Sequence, residues 1–178
     1  MLLVENGVPM KTTNRNVLFD FQQKTPTWQN VDDGVMGGLS ASRFAAQDGS
    51  LIFTGNVSLE HNGGFASAYL LGEQFDLSTY TGVCARVRGD GKRYGFTLVT
   101  PVSGQEQIHR AYFAAQSGLW QEVYMPFSGF VPMRRGRVLS SDIRPNLERV
   151  LKMGFIIADE QAGRFALQVE KISAYLET

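Results

Sequence analysis

The densest run of residues with chemical potential is Trp28-Gln-Asn-Val-Asp-Asp-Gly-Val-Met-Gly-Gly-Leu-Ser40. Asp32 and Asp33 supply the carboxylate oxygens that a hard cation takes. They lack the alternating carboxylates of a calcium loop. The expectation is therefore a metal-independent turn whose acid side chains accept hydrogen bonds from nearby amides. Gly34, Gly37 and Gly38 ask for left-handed backbone or close approach by another segment. Met36, set among them, is expected either to fill a gap in the core or to offer an apolar contact to a partner. A second glycine-rich turn, Asn62-Gly63-Gly64-Phe65, is followed by no Gly-Lys-Ser/Thr and no helix start, so it does not read as a phosphate loop. Trp28 and Phe65, beside the two turns, are expected to anchor the core. Gly89-Asp90-Gly91-Lys92 reads as a hairpin turn.

Nucleophilic catalysis has little material. His61 and His109 have no Ser or Cys nearby in a catalytic motif, and Gly-x-Ser-x-Gly is absent. Cys84 is the single cysteine, which excludes an internal disulfide framework and a multi-cysteine zinc site. It falls in a strand pattern and is expected to be an inert thiol, with Arg86 as the neighbour that would lower its pKa. Asp159 and Glu160 read as a turn, and no carboxyl pair selects itself for glycoside hydrolysis. The sequence thus predicts no catalytic residues, no metal and no cofactor.

The elements that must position these residues are strands. The chain has 178 residues, 19 of them glycine and 12 phenylalanine, the composition of a turn-rich β protein. Apolar residues alternate with period two over 17–21, 65–71, 82–88, 94–99, 108–114, 119–125, 153–158 and 165–175, with shorter runs at 51–53 and 57–59. About ten short strands punctuated by Gly, Asn and Asp predict an antiparallel β-sandwich or barrel. One short helix is expected from Asp142, a capping residue, through Pro145 to Leu151. Residues 132–137 read as a basic loop. Residues 1–16 are expected to be a loose arm and 17–178 a single sandwich domain.

Alternation also assigns faces. Val83, Ala85 and Val87 face one way; Cys84, Arg86 and Arg88 face the other. Tyr94, Phe96 and Leu98 face inward, as do Phe165, Leu167 and Val169. In 119–125, Leu119, Gln121, Val123 and Met125 face inward, and Trp120, Glu122 and Tyr124 outward. The outward set Arg86, Arg88, Trp120 and Tyr124 is the expected partner-binding surface, because arginine and aromatic side chains dominate interface energetics.

Charge and targeting narrow the partners. Lys and Arg number 17 against 17 Asp and Glu, and a chain without cationic surplus is not expected to bind nucleic acid. No stretch reaches the length of a membrane-spanning helix. The opening residues match neither a secretory signal nor a mitochondrial presequence. The expected location is cytoplasmic, peripheral to the inner membrane only through a partner.

Several motifs in order carry a resemblance. They are Val31-Asp-Asp-Gly-Val-Met-Gly-Gly-Leu-Ser40, Phe53-Thr-Gly55, Leu59-Glu-His-Asn-Gly-Gly-Phe-Ala-Ser67, Arg86-Val-Arg-Gly-Asp-Gly-Lys-Arg-Tyr94, Trp120-Gln-Glu-Val123 and Gly154-Phe-Ile-Ile-Ala-Asp-Glu-Gln-Ala-Gly-Arg-Phe-Ala-Leu167. Over residues 17–176 the chain resembles the complex I intermediate-associated protein 30 family. The resemblance implies a galactose-binding-like jelly roll. It also implies a non-catalytic assembly module whose partner is a respiratory-complex subunit or assembly intermediate. The same sandwich hosts sugar binders, so a carbohydrate ligand is the alternative. His61 stands where the family commonly has Asn, and Tyr69 where it commonly has Arg; the latter bears on any anion role of that strand.

Overall fold

The computed structural model describes residues 13–140 and 142–178. In chain order the strands are β1 (Thr13–Asp20), β2 (Trp28–Asn30), β3 (Ala41–Gln47), β4 (Ser50–Val57), β5 (Ala66–Leu70), β6 (Gly82–Arg88) and β7 (Arg93–Val102). They continue with β8 (Gln105–Ala114), β9 (Trp120–Pro126), β10 (Val131–Arg134), β11 (Arg137–Val138), β12 (Lys152–Ile157) and β13 (Gly163–Glu177). One sheet runs β3-β4-β13-β6-β9, with β1 added along β13. The other runs β11-β10-β8-β7-β12-β5-β2. All pairings between these strands are antiparallel. Helix among the described residues is confined to three short 3-10 segments, Asp33–Met36, Glu60–Asn62 and Phe127–Gly129. The chain is an antiparallel jelly-roll sandwich.

The core lies between the sheets and is built from the alternation. Val83, Ala85 and Val87 of β6, Tyr94, Phe96 and Leu98 of β7, and Phe165, Leu167 and Val169 of β13 are all buried. A bulge between Val169 and Lys171 resets the phase of β13, so that Ile172 and Ala174 face inward as well. Aromatic rings interlock across the core. Phe53 lies against Phe44 and Phe165, with centroids 4.4 Å and 4.8 Å away, and Phe96 meets Phe155 edge-on at 5.2 Å.

Local expectations differ from the structure at several points. Residues 13–16 belong to β1 and pair with 174–177 of β13 rather than to a loose arm; the rest of that expected arm, 1–12, lies outside the described residues. Gly55-Asn56 does not separate two strands. Residues 50–57 run as one strand in which Gly55 leaves room for the Phe165 ring. Gly89–Lys92 is not a hairpin, because β6 and β7 lie in different sheets. The turn carries the chain across the sandwich, and the Asp90 carboxylate fixes it. Asp90 accepts hydrogen bonds from Lys92 N (3.1 Å), Tyr94 Oη (3.0 Å) and Ala166 N (2.9 Å). The helix expected from Asp142 is absent. Pro145 disfavours helical backbone in Arg144, and nearby peptide groups bond to distant segments instead: Leu77 N donates to Leu147 O at 2.7 Å, and Leu151 N to Val99 O of β7 at 2.8 Å. The basic loop 132–137 is a hairpin of β10 and β11. Leu119 precedes β9 and is 61% exposed, not inward.

Candidate partner-binding face and an arginine-floored cleft

The outward surface of the β1-containing sheet gathers the sequence-predicted set. β6 and β9 are neighbours in register, Arg88 opposite Trp120, Arg86 opposite Glu122 and Cys84 opposite Tyr124. The guanidinium of Arg88 lies 5.0 Å from the centroid of the Trp120 ring and that of Arg86 5.5 Å. Arg86 is held in place by an ion pair to Glu170 at 2.8 Å, and Arg88 donates to Gln168 Oε1 at 2.6 Å. Tyr124 stands apart from that group. Its ring packs edge-on against Tyr175 at 5.2 Å, and Arg15 of β1 reaches over it. Arg15 donates two hydrogen bonds of 2.7 Å to the Glu122 carboxylate and another to the Tyr124 hydroxyl. The Arg15 bonds hold the Glu122 carboxyl below the usual carboxylate range. Burial pushes the Tyr124 hydroxyl up.

The residues of the two glycine turns form a clamp. Asp33 is fully buried. Its carboxylate accepts hydrogen bonds from Ser40 N (2.9 Å), Gly64 N (2.6 Å), Phe65 N (3.3 Å) and the Ser40 hydroxyl. Burial pushes the Asp33 pKa up, but the Ser40 hydroxyl and these amides outweigh it and hold the group below its ordinary value. Asp32 does the same for the next strands, accepting from Ser42 N, Ser42 Oγ and Ser67 N. A Cβ at Gly38 would collide with the Asp33 carboxylate, and one at Gly63 would sit 2.6 Å from Asp33 Oδ2. Trp28 is half-buried and packs on Phe44 at 5.7 Å, so it borders the core rather than anchoring its centre. Phe65 is also half-buried and faces a cleft instead of the core. Among the described residues no three His, Cys, Asp or Glu side chains come together in a way that could hold a metal ion.

That cleft, about 440 Å³, opens on the outward face of the other sheet. Sequence reasoning did not find it. Its floor is Tyr69 of β5, Ile156 of β12 and Arg110 of β8. Phe65, Leu59 and Met36 from the glycine turns line the cleft, as do Arg135, Asp159 and Glu160 from other loops. Leu59 is 45% and Met36 62% exposed. Asn62, Arg135, Asp159 and Glu160 hold left-handed backbone, a conformation that costs energy outside glycine and gathers at functional sites. Burial pushes the Tyr69 hydroxyl up, opposed by the charge of Arg110. The one available sequence signal was Gly95, alone inside an apolar strand. A Cβ there would meet Ile156 Cγ2 at 2.7 Å and Arg110 Cδ at 2.8 Å. The arginine stem therefore lies flat across β7.

The two sheets of the jelly roll display polar and aromatic groups on their outer faces. The chain belongs to the complex I intermediate-associated protein 30 family, whose sequence profile matches residues 17–169. A Caenorhabditis elegans protein described as "Probable complex I intermediate-associated protein 30, mitochondrial" is 28% identical, over 90% of this chain and 53% of its own length. The complex I intermediate-associated protein 30 of Drosophila melanogaster is 25% identical, over 88% of this chain and 62% of its own. The chain thus spans about half the length of the first of these relatives. Among solved structures, the family 11 carbohydrate-binding module of the Clostridium thermocellum cellulase Lic26A-Cel5E superposes with a TM-score of 0.68 at 14% identity, covering 93% of this chain and 95% of that one. The same module in complex with a mixed-linked tetrasaccharide gives 0.67 at 15% identity, covering 92% and 98%. At these identities the likeness is one of fold. Among the described residues no helix is long and apolar enough to cross a membrane.

Proposed function

We propose that this chain is a non-catalytic module that holds a protein partner, a subunit or assembly intermediate of respiratory NADH:ubiquinone oxidoreductase. Membership of the complex I intermediate-associated protein 30 family supports the choice of partner. The observation that carries the binding reading is the stack of Arg86 and Arg88 on Trp120 at the sheet surface. These side chains are already ordered by Glu170 and Gln168. A pre-ordered arginine–tryptophan cluster loses little side-chain entropy when a partner docks, and these residue types carry most interface energy. A sugar stacked on Trp120 would have to displace the guanidiniums from the ring, so the protein-partner reading is preferred on this face.

The test is affinity capture from native membranes and extract, with mass spectrometry of what is recovered. Wild-type protein is expected to bring respiratory-complex subunits. The double variant Arg86→Ala/Trp120→Ala is expected to lose them while melting within a few degrees of wild type. Equal recovery by the variant makes the face idle. Recovery of glycan-processing proteins in place of respiratory subunits favours the carbohydrate reading.

A further inference from the structure

Charged side chains on the central strands of the cleft-bearing sheet come in pairs, with one exception. Lys152 of β12 pairs with Glu106 of β8 at 3.2 Å, and Arg93 of β7 with Asp159 at 3.0 Å. Arg110 has no carboxylate partner among the described residues. Its side chain donates one long hydrogen bond, Nε to Thr97 Oγ1 at 3.4 Å. Yet Arg110 is the most buried of these charges, with 7% of its surface exposed. A buried cation without a counterion is costly. Here the fold also gives up the side chain at position 95 to lay the arginine flat on the cleft floor. Arg135 and Glu160, one charge of each sign in the cleft lining, are in no ion pair among the described residues, and the Arg110 guanidinium is the uncompensated charge of the floor itself.

The surroundings define what would compensate it. A guanidinium presents parallel N–H donors that match the two oxygens of a carboxylate or phosphate. Around it, Phe65, Ile156, Leu59 and Met36 offer apolar surface, and the Tyr69 ring offers an aromatic face beside a hydroxyl. A volume of about 440 Å³ is in the range of small-molecule sites. We propose that this cleft binds a small organic anion, its carboxylate or phosphate seated on Arg110 and its apolar or aromatic body against Phe65 and Ile156. This site lies on the opposite sheet from the Arg86–Trp120 cluster and does not depend on the partner reading.

The experiment uses the full chain labelled with 15N and follows amide shifts as three probes are added. Hydrocinnamate carries a carboxylate, phenyl phosphate a phosphate, and hydrocinnamamide is the neutral counterpart of the first. At least one anion is expected to shift the amides of Gly63, Gly64, Gly95 and Ile156 at low-millimolar concentration, and which one does so separates carboxylate from phosphate. Hydrocinnamamide is expected to bind at least about tenfold more weakly, the factor a charge-assisted hydrogen-bond pair supplies. Arg110→Gln is expected to weaken the anion by the same factor. Arg110→Lys retains the charge and is expected to bind between the two. The comparison of acid with amide is made in wild-type protein, so it stands even where a variant fails to fold. The proposal is overturned by no shift with either anion, by shifts clustered away from the cleft, by hydrocinnamamide binding as well as whichever anion binds, or by that anion binding Arg110→Gln as well as wild type. A neutral glucan that shifts the same amides equally in wild type and Arg110→Gln would also overturn it, making the cleft a neutral sugar site.

Discussion

Asp33 and Gly64 are 31 positions apart, and Asp33 Oδ2 accepts a hydrogen bond from Gly64 N at 2.6 Å. That bond fastens the first glycine turn to the second. Through Ser40 and Phe65 the same carboxylate fixes the entries to β3 and β5. The rim of the cleft, which contains Met36, Leu59 and Phe65, is therefore hung on one buried acid.

Asp33→Asn is expected to be strongly destabilising although it preserves shape. The amide turns a donor toward donors, and hydrogen bonds to a charged acceptor contribute about 1.5–3 kcal/mol each. A loss of about 3 kcal/mol, or roughly 6–12 °C in a domain of this size, is expected by calorimetry. The acid limb carries a second signature. The Asp33 pKa lies below its ordinary 3.8 in the folded chain, so its stabilisation is complete above that value and is lost as pH falls through the folded pKa. The Asn variant is expected to lose less additional stability than wild type below that point. An Asp33→Asn protein that melts with wild type would remove the clamp from the account.

How much of this was legible follows the range of each interaction. Period-two alternation is local, and the inward residues of β6, β7 and β13 were readable from it. The outward parity of Arg86 and Trp120 was equally readable; their adjacency was not, because it depends on β6 pairing with β9. Gly89–Lys92 misled because Gly-Asp-Gly suits a hairpin and a crossing between sheets alike. The decision rests with Asp90, whose partner Ala166 lies 76 residues away. Pro145 and its neighbours carried a helical pattern, and tertiary backbone bonds overrode it. Arg110 looked like any strand arginine. Only the topology places Thr97 opposite it and Gly95 beneath its stem.

Stability is expected to fall with mild acidification because of His109. This side chain is fully buried. Its Nε2 lies 3.2 Å from Ile143 O and its Nδ1 has no hydrogen-bond partner. Burial lowers its pKa below the ordinary 6.5, with the bond to Ile143 acting against that shift. The unfolded chain thus binds the proton first as pH falls, and stability declines from 6.5 downward until the folded pKa is reached. Between pH about 7.5 and about 5.5, the melting temperature of wild type is expected to fall relative to that of His109→Leu, because only wild type declines through this group. Parallel curves would place the imidazole in contact with solvent.

Gly95→Ala is expected to disturb the cleft floor while leaving the core intact. The new methyl would press on Ile156 Cγ2 and the Arg110 stem, and overpacking of this kind costs about 1–3 kcal/mol. Denaturant unfolding measures that cost. Amide shifts are expected to change at Arg110, Thr97 and Ile156 and to stay unchanged at Arg86 and Trp120 on the other sheet. Changes on both faces would mean that the core itself had moved.

Cys84 is expected to be unreactive in the folded protein. The thiol is on the outward face of β6, where Arg86 also projects, but the cation acting on it is Arg15 of β1. Burial is the largest influence and raises the thiol pKa; Arg15 lowers it and Glu122 raises it. A raised pKa and 4% exposure both reduce the thiolate available to an electrophile. Labelling then has to wait for local opening around the thiol, either of β1, which brings Arg15 beside it, from β13, or of β6 from the flanking β9 and β13. With an opening free energy of about 3 kcal/mol, the native thiol reacts about a hundredfold more slowly than the unfolded one. Timed labelling with a maleimide in native buffer and in denaturant measures the ratio. A native rate within a few-fold of the denatured rate would mean that Cys84 is open to solvent and that β1 does not hold its place beside β13.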